Sequence, residues 1–380
     1  VRCALGERSP VWIHAVSVGE VQTARPVFLA GRAADPDLPI VLSTTTKNGA
    51  EVADAMLAEL FDARFFFPWD IPRVLSRFLD ALRPKAFATM ETEVWPNLLY
   101  ELHRRDIPAY LVNARLSETT FEKIMKRPAF WKPVFGWFRT ILARGEGDVD
   151  RLLAIGVAPE RIRIIGDCKI DALLERRRLF DKAAVGRMVP SGPGAVFLAG
   201  STHRGEEEVV LDAFSRVRNE HPDARLVIVP RHPERAGEIR SLASGRGVVA
   251  LLSENAPAWD ILVVDRIGVL FDLYGVADAA FIGGSLVPKG GQNLMEAAAF
   301  EVPICHGPDM EDFPEATRRL DALGASVRVT DAAMIASHWN ESLSPKVRES
   351  VRQGCRRYFR DLEGASARAW STIRSGFDGV

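Results

Sequence analysis

FIGGSLVPKGGQNLMEAAAFEVPICHGP, residues 281–308, is the stretch whose reading decides the fold. A short apolar run at 279–282 meets glycines, a second glycine pair follows at Gly290 and Gly291, and Asn293 opens an Ala-rich segment ending before another apolar run at 302–305. This order predicts strand, glycine loop, helix, strand. Glycines at the mouth of a helix let a ligand approach the backbone, and free N–H groups with the positive end of the helix dipole attract phosphate. Glu296 lies one turn into that helix. A carboxylate there repels phosphate and instead accepts hydrogen bonds from hydroxyls such as those of a ribose. The same pattern also fits an ordinary glycine-rich turn between strand and helix.

The same grammar runs outward in both directions. In the first half, apolar runs at 11–16, 40–43, 65–67, 86–90, 109–112 and 141–143 read as buried strands, each followed by a polar or glycine-bearing loop and mostly by an amphipathic segment. The second half restarts it at 195–199, 226–229 and 261–264 before reaching 279–282. Alternating strand and helix implies parallel sheets, and ligand residues then sit in the loops at the carboxyl ends of the strands. The fold class expected is α/β, with two Rossmann-like doubly wound domains facing each other across a cleft. Boundaries are expected at 1–175 and 190–345, with a linker at the break Ser191-Gly192-Pro193-Gly194 and a charged helical tail, 346–380, packing back on the first domain.

At 380 residues the chain exceeds the usual single core. A composition 47% hydrophobic and 26% charged is that of an ordinary globular protein, and a net charge of −1 gives no global pull toward nucleic acid. Cys3, Cys168, Cys305 and Cys355 are too scattered for a metal knuckle and too few for a disulfide scaffold, which fits a reducing, cytoplasmic compartment. No apolar run approaches the ~18 residues of a membrane span. The start at Val rather than Met leaves room for an upstream segment.

Candidate chemistry gathers at the strand ends. In HAVSVGE (14–20), Glu20 reads either as a general base or as the acidic first-turn residue that a helix dipole favours. METEVWPN (90–97) places Glu91 and Glu93 together, a costly arrangement unless hydroxyls or cations meet them. Arg231 follows a strand directly, between two prolines, and suits bidentate phosphate contact. STHRG (201–205) reads equally as a ligand loop or as a cap before the acidic turn of Glu206 to Glu208. The aromatic and basic run at 127–139 suits a membrane interface or partner surface, although most of its residues read as core. No G-x-G-x-x-G fingerprint follows the first strand, which disfavours a dinucleotide.

HAVSVGE, STTTKNGAEVA (43–53), PWDIP (68–72), METEVWPN, VNARLSE (112–118), GDCKID (166–171), GSTHRGEE (200–207), PRHPER (230–235) and the 283–308 stretch resemble, in order, the motifs of 3-deoxy-D-manno-octulosonic acid (Kdo) transferases. These are glycosyltransferases of the GT-B fold, and the resemblance covers nearly the whole chain from about Val11 onward. It implies transfer of Kdo from CMP-Kdo to a lipid A precursor, lipid IVA, in lipopolysaccharide core biosynthesis, at the cytoplasmic face of the inner membrane and without a metal or other cofactor. It further implies an acceptor-binding first domain and a CMP-sugar-binding second one. By motif, Glu20 is the general base and Glu91 and Lys169 assist the transition state. The CMP contacts fall on Pro230 and Arg231, on Ile267, Gly268 and Val269, and on Asn293, Leu294, Met295 and Glu296. This chain departs from the family at Gly268-Val269-Leu270, where Gly-Glu-Leu is usual, at Gln292, where His is usual, and at Asp167-Cys168, where Asn-Leu is usual. Family members carry an N-terminal apolar anchor helix, so a chain without that segment is expected to be peripheral. A GT-B transferase using another nucleotide sugar, and a non-catalytic binding protein on the same fold, are the alternative readings.

Overall fold

A computed structural model describes residues 5–189 and 192–377. Cys3 and Ser191 lie outside the described residues. The chain forms two compact units, Val1–Glu175 with Leu362–Val380, and Arg176–Asp361.

The first unit is built on a seven-stranded sheet of β1 (Val11–His14), β2 (Ile40–Thr44), β3 (Ala63–Phe66), β4 (Ala86–Met90), β5 (Ala109–Ala114), β6 (Thr140–Ala143) and β7 (Ile162–Ile164). All pairings are parallel, in the order β3-β2-β1-β4-β5-β6-β7. The central strands read as unbroken apolar runs because both faces are covered. Trp12, Phe87, Leu111 and Ile141 enter one core, while Ile13, Leu42, Ala88 and Val112 enter the other. The last helix, Ala365–Ser375, adds Ala369, Trp370 and Ile373 to the second of these cores. Asp171 fastens its start by accepting hydrogen bonds from the N–H groups of Gly364 and Ser366, both at 2.7 Å. The Trp370 indole N–H donates to Asp35 at 3.1 Å.

The second unit repeats the plan with β8 (Val196–Thr202), β9 (Arg225–Pro230), β10 (Val249–Leu251), β11 (Ile261–Val263), β12 (Ala279–Ile282), β13 (Ile304–His306) and β14 (Ser326–Arg328). This sheet is also parallel, in the order β10-β11-β9-β8-β12-β13-β14. Phe197 stacks on Trp339 at 4.8 Å in a core shared with Phe214 and Ile228. Each unit is a Rossmann-like sheet with interleaved helices, the GT-B fold class.

The division of the chain differs from the sequence expectation. The second unit begins at Arg176 rather than near 190, and it keeps the helix Pro345–Arg360. Ion pairs hold that helix there: Arg348 meets Asp278 at 2.9 Å, and Arg356 meets Glu301 at 3.0 Å. Only the segment from Leu362 joins the first unit.

Candidate active site

In a doubly wound sheet, ligands bind where the strand order reverses, beyond the carboxyl ends of the strands. In the first unit that point lies between β1 and β4. Glu20 follows β1, and Glu91 follows β4.

Ser17 caps the helix Val18–Ala34, its hydroxyl accepting from the Glu20 N–H at 3.4 Å. The Glu20 carboxylate turns back to accept from the Val16 N–H at 2.7 Å and from the Ser17 hydroxyl at 3.2 Å. The Val16 carbonyl is held in turn by the Thr46 hydroxyl at 2.9 Å. A Cβ on Gly49 would lie 2.9 Å from that same carbonyl oxygen, so the glycine lets the loop after β2 close against the loop after β1. Glu20 therefore sits in the first turn of that helix, the place one reading of the sequence gave it, and ties down the strand-end N–H of Val16. It is also chemically poised. Burial raises its carboxyl from 4.5 to about 7, and the charges of Glu93 and Glu91 push the same way, against the hydrogen bonds from Val16 and Ser17.

Glu91 adopts a left-handed backbone, φ 57°, a costly conformation for a residue with a side chain. The Lys169 ammonium pairs with its carboxylate at 2.7 Å. Lys169 is placed by the start of the helix Cys168–Arg178, where the Cys168 N–H donates to the side chain of Asn113, itself at φ 59°, at 2.8 Å. Burial, then the Glu91 charge, raises Glu93. Three carboxylates and one lysine thus converge at the switch point, and Glu20 is left without a cation of its own among the described residues. His14, the other titratable group in the same motif, is fully buried against Phe67 at 4.2 Å. Desolvation lowers it to about 3, so its ring is neutral and unsuited to take a proton.

In the second unit, Pro230 ends β9 and Arg231 follows it exposed, with its N–H donating to Thr202 at 2.9 Å. Ile267 is 81% exposed in the loop after β11, Gly268 takes φ 90°, and Val269 immediately precedes the short helix Leu270–Tyr274. Asn293, Leu294, Met295 and Glu296 follow β12; the Asn293 side chain accepts from the Met295 N–H at 3.1 Å, and burial raises the Glu296 carboxyl. All these positions lie beyond the carboxyl ends of strands of one sheet.

The glycine stretch is built differently from the sequence reading. The helix after it, Met295–Ala299, has five residues and so little dipole to offer a phosphate. The N–H groups of Gly284, Ser285 and Leu286 are already taken by the carboxylate of Glu206, at 2.7, 2.9 and 2.9 Å. Gly283 serves the chain itself, since a Cβ there would lie 2.4 Å from the Ser201 carbonyl oxygen. Glu206 is the residue that sequence reasoning passed over as an ordinary first-turn acid. Its only signal was a run of three glutamates, Glu206 to Glu208, directly after a strand-end loop.

No three His, Cys, Asp or Glu side chains are placed to hold a metal ion among the described residues. The run at 127–139 is less of a core segment than expected: Phe135 and Phe138 are buried and Trp131 and Trp137 lie half-buried against the same core, but Phe130 and the basic residues Arg127, Lys132 and Arg139 are exposed, because only one face of the helix Pro128–Gly136 meets the core.

Comparison with known proteins gives this arrangement a lineage. The family model described as 3-deoxy-D-manno-octulosonic-acid transferase (kdotransferase) matches residues 2–172. A 3-deoxy-D-manno-octulosonic acid transferase of Haemophilus influenzae is 32% identical over 330 residues, covering 85% of this chain and 76% of the relative. One from Bordetella pertussis is 30% identical over 381 residues, covering 97% and 85%. In solved structures, a UDP-GlcNAc 2-epimerase from Neisseria meningitidis aligns with a TM-score of 0.66 at 15% identity, covering 98% of this chain and 100% of that one, a likeness of fold alone. The chain belongs to the 3-deoxy-D-manno-octulosonic acid transferase family of glycosyltransferases.

Proposed function

We propose that this protein transfers Kdo from CMP-Kdo to a hydroxyl of a lipid A precursor such as lipid IVA, in lipopolysaccharide core biosynthesis, without a metal ion. The observation that carries the reading is Glu20, a carboxyl raised to about 7 beside the Glu91–Lys169 pair at the switch point of a sheet. A sugar hydroxyl is too weak an acid to attack unaided, and a base titrating near the working pH is the most effective acceptor for its proton. In the reading, Glu20 takes that proton as the hydroxyl oxygen bonds to the anomeric carbon of Kdo. The bond from that carbon to the phosphate oxygen breaks, and CMP departs with the electron pair.

Glu91 and Lys169 assist the transition state, in which positive charge grows on the sugar while negative charge grows on the leaving phosphate. Arg231 meets that phosphate. The remaining donor contacts fall on Pro230, on Ile267 to Val269 and on Asn293 to Glu296, where the half-buried Glu296 carboxyl accepts hydrogen bonds from ribose hydroxyls. A monophosphate leaving group carries less charge than a diphosphate, so one arginine and backbone N–H groups can meet it without a divalent ion.

A lipid acceptor implies work at a bilayer, here the cytoplasmic face of the inner membrane. No helix among the described residues is long and apolar enough to cross a membrane. The first unit does expose Phe66 by 57%, Trp69 by 80%, Ile71 by 52% and Val74 by 39%, next to the exposed Arg73 and Arg77. Asp70 pins the loop behind Trp69 by accepting from the Leu98 N–H at 2.8 Å and the Asn97 N–H at 3.2 Å. Aromatic and aliphatic side chains beside arginines suit an anionic lipid surface. Mass spectrometry of lipid IVA incubated with CMP-Kdo or with UDP-sugars tests the proposal. Kdo addition from CMP-Kdo alone is expected, and transfer from a UDP-sugar would favour another transferase of the same fold.

A further inference from the structure

Two neighbouring acids at the start of the helix Glu206–Glu220 are both fully buried, a costly placement unless each finds partners for its charge. Glu206 is satisfied on both oxygens. One accepts from the N–H groups of His203 and Gly284, at 2.8 and 2.7 Å, and the other from those of Ser285 and Leu286, both at 2.9 Å. Four backbone donors around one carboxylate form the kind of nest that elsewhere holds a bound anion. Here the protein fills it with its own.

The placement matters more than the number. His203 follows β8, Gly284 follows β12, and these strands flank the reversal point of the second sheet. The Gly284 carbonyl in turn accepts from the Gly291 N–H at 2.9 Å, immediately before Gln292 and Asn293. Glu207 does the parallel job on the other side. It binds Arg235 at 2.7 and 3.3 Å, and Arg235 closes the turn that opens with Arg231.

We propose that Glu206 is a positioning residue for the donor, its buried carboxylate locking the loops after β8 and β12 so that the 291–296 segment is preformed for the nucleotide. Glu207, through Arg235, sets the Arg231 turn in the same way. This rests on the reading of the second unit as the CMP site. It also implies that the Gly284–Leu286 N–H groups are not the phosphate site, because they are spoken for before any ligand arrives.

Glu206→Gln tests it, since an amide offers one accepting oxygen and turns its NH₂ toward N–H donors. Calorimetry should show CMP affinity weakened about tenfold or more, with donor KM raised more than kcat is lowered. Phe214→Leu, a core change on the same helix, serves as a control for destabilisation and should leave CMP affinity unchanged. A folded Glu206→Gln protein with CMP affinity within about twofold of wild type overturns the proposal. If that variant does not fold, hydrogen exchange on the wild type decides: the 284–286 amides should be protected without CMP, and rapid exchange there overturns the proposal. Wild-type protein that binds no CMP while those amides are protected refutes the nucleotide reading instead, so the two failures are distinguishable.

Discussion

Replacing Glu20 with Gln separates its two roles, because a glutamine amide oxygen still accepts a hydrogen bond such as that from the Val16 N–H but the side chain cannot take a proton. With a carboxyl near 7, about half of the wild-type molecules are competent at pH 7 and about a tenth at pH 6. Transfer should therefore rise about tenfold per pH unit on the acid limb and level above about pH 8. The Gln variant should lose about 10²- to 10⁴-fold in kcat and lose that limb. Stability moves the other way. A carboxyl whose folded value is raised favours folding fully below its unfolded value of 4.5, and that contribution is lost as pH rises through about 7. The gap corresponds to about 3 kcal/mol, which the solvent reaching this half-buried side chain reduces to about 1–2 kcal/mol. Glu20→Gln should thus melt higher than wild type at pH 8 and no higher at pH 4.5. Stopped assays across pH 5.5–9, paired with thermal melts, measure both at once, about 1 kcal/mol being several degrees for a unit of this size. Wild-type turnover in the Gln variant, or a lower melting point at pH 8 with an unchanged acid limb, would refute the reasoning.

Other substitutions probe the remaining parts. Arg231→Ala should weaken CMP binding by about 1–3 kcal/mol in calorimetry without moving the melting point, as expected for an exposed cation whose work is a charge-assisted hydrogen bond. Glu91→Gly relieves the left-handed backbone, φ 57°, and should hold or raise stability by about 1 kcal/mol while transfer falls by about 10²-fold or more. Trp69→Ser should reduce flotation with anionic vesicles, and the wild-type binding should weaken as salt rises; flotation equal to wild type would remove this patch from the membrane account.

Central strands were legible in the sequence because burial on both faces writes them as continuous apolar runs, as at 86–90 and 279–282. The edge strands β7, β10 and β14 were not. They are three residues each and partly exposed; β7 and β14 carry no such run, and β10 lies in an apolar stretch, 248–252, that the reading passed over. Glu20 could be found from its place after β1, but the shift that makes it a base comes from burial and from Glu93 and Glu91, more than seventy residues away in sequence. Lys169 was found only by resemblance, since nothing local in GDCKID announces a partner 78 residues earlier. The glycines at 283 and 284 marked a strand end correctly, yet pattern alone does not reveal whether the N–H groups of 284–286 are free. Glu206, about 80 residues upstream, had already claimed them.

Release of CMP from CMP-Kdo, followed with and without lipid IVA, tests the central claim most directly. The account predicts release that depends on the lipid, matches Kdo addition mole for mole, and persists in a chelator. Release that is absent with the lipid present, or that proceeds equally without it, would contradict Kdo transfer as the function of this chain.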